Sequence, residues 1–214
     1  MYNAIKNLIF RKLSNIYHYF FHYDNLDNFL NHANPAEKMI WKKIHMLLKN
    51  RNNFSILEIG CVNGRNLILS NKYLNAKNKN IKYVGIDLNK KAINKDMEYL
   101  KKNFIKNIKL LNINLSKINE INQDYLVICS VLIYLSEQEF LKLLKKAQLA
   151  RIKKIFIFDN FSKNEFFCKR YYYHNLKQFN FLKKNYMINK KKIDYKPWDT
   201  KKTQTKFIIL TLKR

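Results

Sequence analysis

The sequence predicts an α/β fold built on a mainly parallel sheet. Three observations predict it. After Asn50, short apolar runs alternate with polar stretches of helical period, the pattern of repeated βαβ units. Two of only three glycines sit in one turn that joins an apolar run to a helical stretch, as a tight strand-to-helix turn requires. The last two apolar runs have no helical stretch between them, so they are expected to pair antiparallel.

In chain order, residues 5–21 come first. Ile5, Leu8, Ile9, Leu13, Ile16, Tyr17 and Phe20 recur at helical spacing among Lys6, Arg11 and Lys12, which predicts an amphipathic helix. Such a helix suits a cap over the domain, a contact with a partner, or a peripheral contact with an anionic membrane. Residues 24–33 form a polar loop, so residues 1–33 are read as an appended element and residues 34–214 as the domain itself. Asn34, Pro35 and Glu37 supply a helix start, and Met39, Ile40, Ile44, Leu47 and Leu48 continue its apolar face.

Strands are expected at 54–59, 83–87, 108–113, 125–130 and 155–159. Helices are expected at 65–74, 90–103 and 137–149. A further helix over 165–182, a strand near 186–193, a loop with Pro197 and Trp198, and a final strand over 206–213 complete the reading. The Lys-Asn tract at 75–82 reads as a solvated loop.

At 214 residues and 26.0 kDa, the chain can bury a sizeable core, which excludes small disulfide scaffolds and disordered tails. Its 42 Lys and Arg against 15 Asp and Glu give a net charge of +27, ordinarily a pointer to nucleic acid or anionic membrane. Nearly all of that charge is Lys, and it accompanies heavy use of Asn, Ile, Tyr and Phe, residues that share A/T-rich codons. A phosphate-reading surface favours the Arg fork, so the charge is weak evidence about partners. Cys61, Cys129 and Cys168 form no CxxC pair and have no His at ligand spacing, so no metal site or disulfide framework is expected and a reducing cytoplasm is. No apolar run approaches the roughly 18 to 20 residues of a membrane-spanning helix.

The most informative stretch is Leu57-Glu58-Ile59-Gly60-Cys61-Val62-Asn63-Gly64-Arg65-Asn66-Leu67, a buried strand running through a glycine turn into a helix. The third glycine lies in Val84-Gly85-Ile86-Asp87-Leu88, a second strand ending in a carboxylate about 20 residues on, where an acid can accept both hydroxyls of a ribose. At these residues the chain resembles the class I S-adenosylmethionine-dependent methyltransferases, over the region from about 54 to 159.

The resemblance implies a Rossmann-like sheet with helices on both faces, a reversed last strand and S-adenosylmethionine as cofactor. It implies that Glu58, Gly60, Cys61, Asn63 and Gly64 surround the methionine part, and that Asp87 and Leu88 hold the ribose side. Asn114 and Leu115 then match the adenine contacts, and Ser130 opens the turn that lines the methyl-transfer site. One departure stands out: the family's usual middle glycine is Val62 here, and a β-branched residue resists positive φ.

A dinucleotide oxidoreductase is disfavoured, because GxGxxG spacing is missing and Glu58 stands where a pyrophosphate would lie. The acceptor is less legible. The resemblance implies that an Asn-Pro-Pro-Tyr or Asp-Pro-Pro-Tyr stretch after the fourth strand would favour amino groups, and a Cys-Pro pair cytosine carbon; neither is present here, which turns the expectation to the oxygen of a small metabolite such as a sugar. RNA is the alternative substrate, and a non-catalytic basic protein that binds RNA or membrane is the third. A poorly acidic hydroxyl gains from a general base, for which Asp159, His174 and Tyr134 are the candidates. His18, His22, His32 and His45 are read as structural.

Overall fold

The computed structural model describes residues 35–62, 64–74, 80–162, 166–168, 171–193 and 203–213. The amphipathic helix over 5–21, the loop after it, Asn34, Asn63, Pro197 and Trp198 lie outside the described residues. Helix α1 (Pro35–Leu48) leads into β1 (Asn53–Ile59), α2 (Arg65–Leu74), β2 (Asn80–Asp87), α3 (Lys90–Lys102), β3 (Ile108–Asn112) and β4 (Tyr125–Cys129). Then follow α4 (Glu137–Leu149), β5 (Lys154–Ser162), β6 (Phe166–Cys168), β7 (Tyr171–Asn175), β8 (Tyr186–Lys192) and β9 (Thr203–Leu212), with 3-10 turns at Leu115–Lys117, Leu132–Tyr134 and Leu176–Lys184.

Helices α3 and α4 start where side chains satisfy their first amides. Asn89 accepts from Ala92 N at 3.0 Å to open α3, and Ser136 with Glu139 forms a reciprocal capping box at α4, each relieving amides that a helix leaves unpaired.

The parallel strands run in the order β3-β2-β1-β4-β5, and β9 then pairs antiparallel with both β5 and β8. Both faces are buried, as a parallel sheet demands. One core gathers Ile40 and Ile44 of α1, Leu67 of α2 and Ile93 of α3 under Phe156 and Phe158 of β5. The other gathers Phe140, Leu143 and Leu144 of α4 with Phe179 and Leu182 against Ile155 and Ile157. The period-two alternation along β5 thus feeds both cores. This is a Rossmann-like sheet with helices on both faces and a reversed last strand, as expected.

The expected helix over 165–182 is corrected. Phe166–Cys168 and Tyr171–Asn175 form the antiparallel pair β6–β7, and a 3-10 stretch begins only at Leu176. Its aromatic run, Phe166-Phe167 and Tyr171-Tyr172-Tyr173, favours strands, and β7 gains a partner. β4 pairs with β5 from Lys154 to Phe158, and β7 takes over that same edge at Phe161 and Ser162. β4 itself stops one residue short of expectation because Ser130 turns to φ +57°.

Among the described residues no helix is long and apolar enough to cross a membrane.

Candidate functional site

In a parallel sheet a ligand crevice opens at the carboxyl ends of the strands, where the strand order reverses. Here that point lies between β1 and β4, since β1 has β2 on one side and β4 on the other. The sequence-predicted residues, Asn63 apart because it lies outside the described residues, sit on the strand ends and turns around it.

Glu58 is buried at the end of β1, and its Oε1 accepts from Asn66 Nδ2 at 2.8 Å, so the acid is tied to α2. The chain then turns at Gly60, φ +70°, whose amide and that of Cys61 both donate to the Ile86 carbonyl at 2.9 and 3.1 Å. A Cβ at Gly60 would lie 2.4 Å from Val131 Cγ2. Only glycine lets the turn after β1 pack against the turn after β4. Gly64, φ +60°, donates to the Cys61 carbonyl at 2.8 Å and accepts from Ile68 N at 3.0 Å, which launches α2. Gly85 makes room for a side chain: a Cβ there would meet Cys61 Sγ at 2.7 Å. Cys61 is buried, and desolvation, followed by the charges of Glu58 and Asp87, raises its thiol pKa, leaving it a packing group rather than a nucleophile.

Val62 adopts φ +49°. The loop keeps a left-handed residue at the position of the missing glycine, and the β-branched side chain bears that strain. Its amide donates to Asp87 Oδ2 at 2.9 Å, while Asn89 N donates to Oδ1 at 2.8 Å. Burial raises the Asp87 pKa, and the amides of Asn89, Val62 and Leu88 pull it back down. Each carboxylate oxygen can accept more than one hydrogen bond, so two held oxygens still suit a diol. Leu88, 56% exposed, flanks this carboxylate.

On the next strand edge, Asn114 is exposed, and its Oδ1 accepts from Ser116 N at 2.9 Å and Ser116 Oγ at 3.0 Å. It caps the short 3-10 turn that begins at Leu115, so its carbonyl oxygen already serves the backbone. Leu115 packs against the second core.

The far wall is the turn after β4. Ser130 N donates to Phe158 O at 2.9 Å, and the half-buried Tyr134 lies on the 3-10 turn that follows. Asp159 and His174 both reach this turn. Asp159 is fully buried, and its Oδ2 accepts from Leu132 N at 2.7 Å while Oδ1 accepts from Asn160 N at 2.8 Å. Desolvation pushes its pKa up to about 7, against the pull of the Asn160, Leu132 and Val131 amides. His174, 2% exposed, sets Nε2 2.9 Å from Leu132 O and 3.0 Å from Leu135 O. The three acceptor-side candidates therefore converge on one turn, but two of them face its backbone.

His45 is buried on α1, with Nε2 3.0 Å from Ser70 Oγ on α2, a structural place as expected; His18, His22 and His32 lie outside the described residues. Among the described residues no cluster of His, Cys, Asp or Glu could hold a metal ion.

A family model described as a methyltransferase domain matches residues 50–207. The fold is similar to that of magnesium protoporphyrin IX methyltransferase from Synechocystis, solved with bound S-adenosylmethionine: 12% identity, TM-score 0.60, 83% of this chain and 80% of that one. It is similar to that of a methyltransferase from Leishmania major, at 14% identity and TM-score 0.69, with 94% and 83% covered. Coclaurine N-methyltransferase, bound to N-methylheliamine and S-adenosylhomocysteine, matches at 9% identity and TM-score 0.65, with 82% and 70% covered. No curated protein matches the sequence.

Proposed function

The chain belongs to the methyltransferase-domain family, an S-adenosylmethionine-dependent enzyme family, and on that premise we propose that it methylates an oxygen of a small metabolite, a sugar being one such acceptor. The observation that carries the cofactor site is the meeting of Gly60, Val62 and Asp87 at the strand-order reversal, with the carboxylate oriented by two amides at 2.9 and 2.8 Å. That oriented acceptor fits a ribose diol. When bound, the cofactor supplies a sulfonium methyl group as electrophile.

The chain's own residues bind and orient. Asp87 accepts the ribose hydroxyls, with Leu88 beside it. Glu58, Gly60, Cys61, Asn63 and Gly64 shape the loop beside the methionine part. Asn114 offers its NH2 group, and Leu115 its apolar side, to the adenine. Ser130 and Tyr134 face the acceptor from the turn after β4. Methyl transfer is an in-line displacement, so alignment supplies most of what the protein contributes.

The placement of charge supports a small acceptor. Exposed lysines occur on α1 (Lys42), β2 (Lys82), α3 (Lys95), β3 (Lys109), α4 (Lys142) and β8 (Lys190), on both faces and both ends of the sheet, whereas a nucleic-acid site concentrates them in one tract. The segment 1–33 is proposed as a cap over the acceptor side, with 34–214 as the catalytic domain. The deciding experiment incubates the protein with methyl-labelled S-adenosylmethionine and separate pools of metabolites and RNA, read by mass spectrometry. Label on a small metabolite's oxygen is the expected result. Label confined to RNA overturns the acceptor assignment, and label on nitrogen overturns the atom.

A further inference from the structure

Asp159 and His174 reach the turn after β4 from two different strands and with opposite polarity. Asp159, on β5, accepts from amides of the turn: Leu132 N at 2.7 Å, with Val131 N also contributing. His174, on β7, lies 2.9 and 3.0 Å from the carbonyls of Leu132 and Leu135. Carbonyl oxygens only accept, so Nε2 must carry the hydrogen and share it between them. The imidazole is thereby fixed as its Nε2–H tautomer, or as the imidazolium, and that nitrogen cannot take a proton from a substrate.

Strand order explains the meeting. β7 pairs with β5 at Phe161 and Ser162, just past the point where β4 leaves that edge. The turn leaving β4 therefore runs directly beside His174, whose ring is supported edge-on by Phe140 at 4.9 Å. The same turn begins with Ser130 at φ +57°, a conformation that a non-glycine residue keeps only where its surroundings hold it.

We propose that His174 and Asp159 are positioning residues: together they clamp the carbonyls and amides of the 131–135 turn and so hold the wall of the cofactor and acceptor site that Ser130 and Tyr134 carry. The proposal rests on the cofactor reading above, and it replaces the expectation that either residue is the general base.

The test uses the whole chain with S-adenosylhomocysteine as the probe. His174→Phe keeps the ring packing and removes the donor; His174→Gln keeps an NH2 donor. Calorimetry is expected to show a loss of about fivefold or more in affinity for His174→Phe, and a value within about twofold of wild type for His174→Gln. In the wild type, 15N spectra of the imidazole are expected to show Nε2 protonated. A folded His174→Phe that binds like wild type overturns the proposal, even if it unfolds at lower temperature, because a purely structural histidine would do that. A bare Nε2 in the wild-type spectra overturns it whether or not the variant folds. Wild-type protein that does not bind the probe overturns the cofactor reading itself, and the proposal with it.

Discussion

The backbone amide of Val62 donates to Oδ2 of Asp87 at 2.9 Å. This joins the two halves of the proposed cofactor site through a bond that any residue but proline can make at position 62. What distinguishes valine is its side chain, carried at φ +49°. The loop has kept the left-handed path of a glycine loop and bears the steric cost of a branched Cβ there, roughly 1–2 kcal/mol.

Val62→Gly is therefore expected to raise stability, by about 1 kcal/mol once the greater freedom of glycine in the unfolded chain is offset. S-adenosylmethionine affinity is expected to stay level or rise, since the amide bond to Asp87 survives. Urea midpoints and calorimetry on the two proteins decide it. Weaker binding by the glycine variant would mean that the valine side chain contacts the ligand.

Asp87→Ala is expected to cut S-adenosylmethionine affinity by at least about tenfold, since hydrogen bonds to a charged acceptor are worth on the order of 1.5–3 kcal/mol each. It also strips the Val62 and Asn89 amides of their acceptor, so a fall in stability of about 1–2 kcal/mol should accompany it. Unchanged affinity in a folded variant would remove Asp87 from the site.

The parts of this molecule that were legible in the sequence are those with local signatures. The strands of the parallel sheet, the glycine turn at Gly60 to Gly64 and the acid ending β2 each follow from spacing within a few residues. β6 and β7 were not legible, because the strand preference of aromatic residues such as Tyr171 to Tyr173 is weak until a pairing edge is present. What selects the strand is the edge of β5 left open beyond β4, a feature of the assembled sheet rather than of the local sequence. The same limit hid the engagement of His174 and Asp159, since backbone carbonyls and amides carry no residue signature. Asn114 is different: Asn114-Leu115-Ser116 is a local capping pattern, and it signals the bond to Ser116 N without any tertiary information.

Asp96 predicts a pH dependence of stability. It is 2% exposed on α3, Oδ2 has no hydrogen-bond partner among the described residues, and burial raises its pKa to about 8 against the pull of Lys95. In the unfolded chain an aspartate titrates near 3.9. Between about pH 4 and 8 the unfolded state has lost a proton that the folded state keeps, so this residue's contribution falls as pH rises, by at most about 1.4 kcal/mol per unit, and levels off above about 8. Asp96→Leu removes that slope. Urea unfolding is expected to find the two proteins close at pH 4.5 and the variant ahead by on the order of 1–3 kcal/mol at pH 8. A gap that does not widen with pH would show that the Asp96 carboxyl ionises in the fold without difficulty.

The acceptor class makes the last prediction, since a small metabolite and RNA differ in what salt does to them. RNA binding releases counterions for every phosphate that lysines neutralise, and raising salt from about 50 to 200 mM would weaken it by orders of magnitude. An uncharged acceptor displaces few ions, and a Debye length near 10 Å leaves exposed lysines largely screened across that range. The exposed lysines of α1, β2, α3, β3, α4 and β8 point to many surfaces of the molecule rather than to one crevice. Apparent acceptor affinity is therefore expected to change by less than about threefold over that range. The measurement is an initial-rate series at each salt concentration with S-adenosylmethionine saturating, so that any effect on the cofactor is removed. A steep fall in acceptor affinity, with cofactor affinity level, would place a polyanion across the site and reverse the choice between the two acceptors.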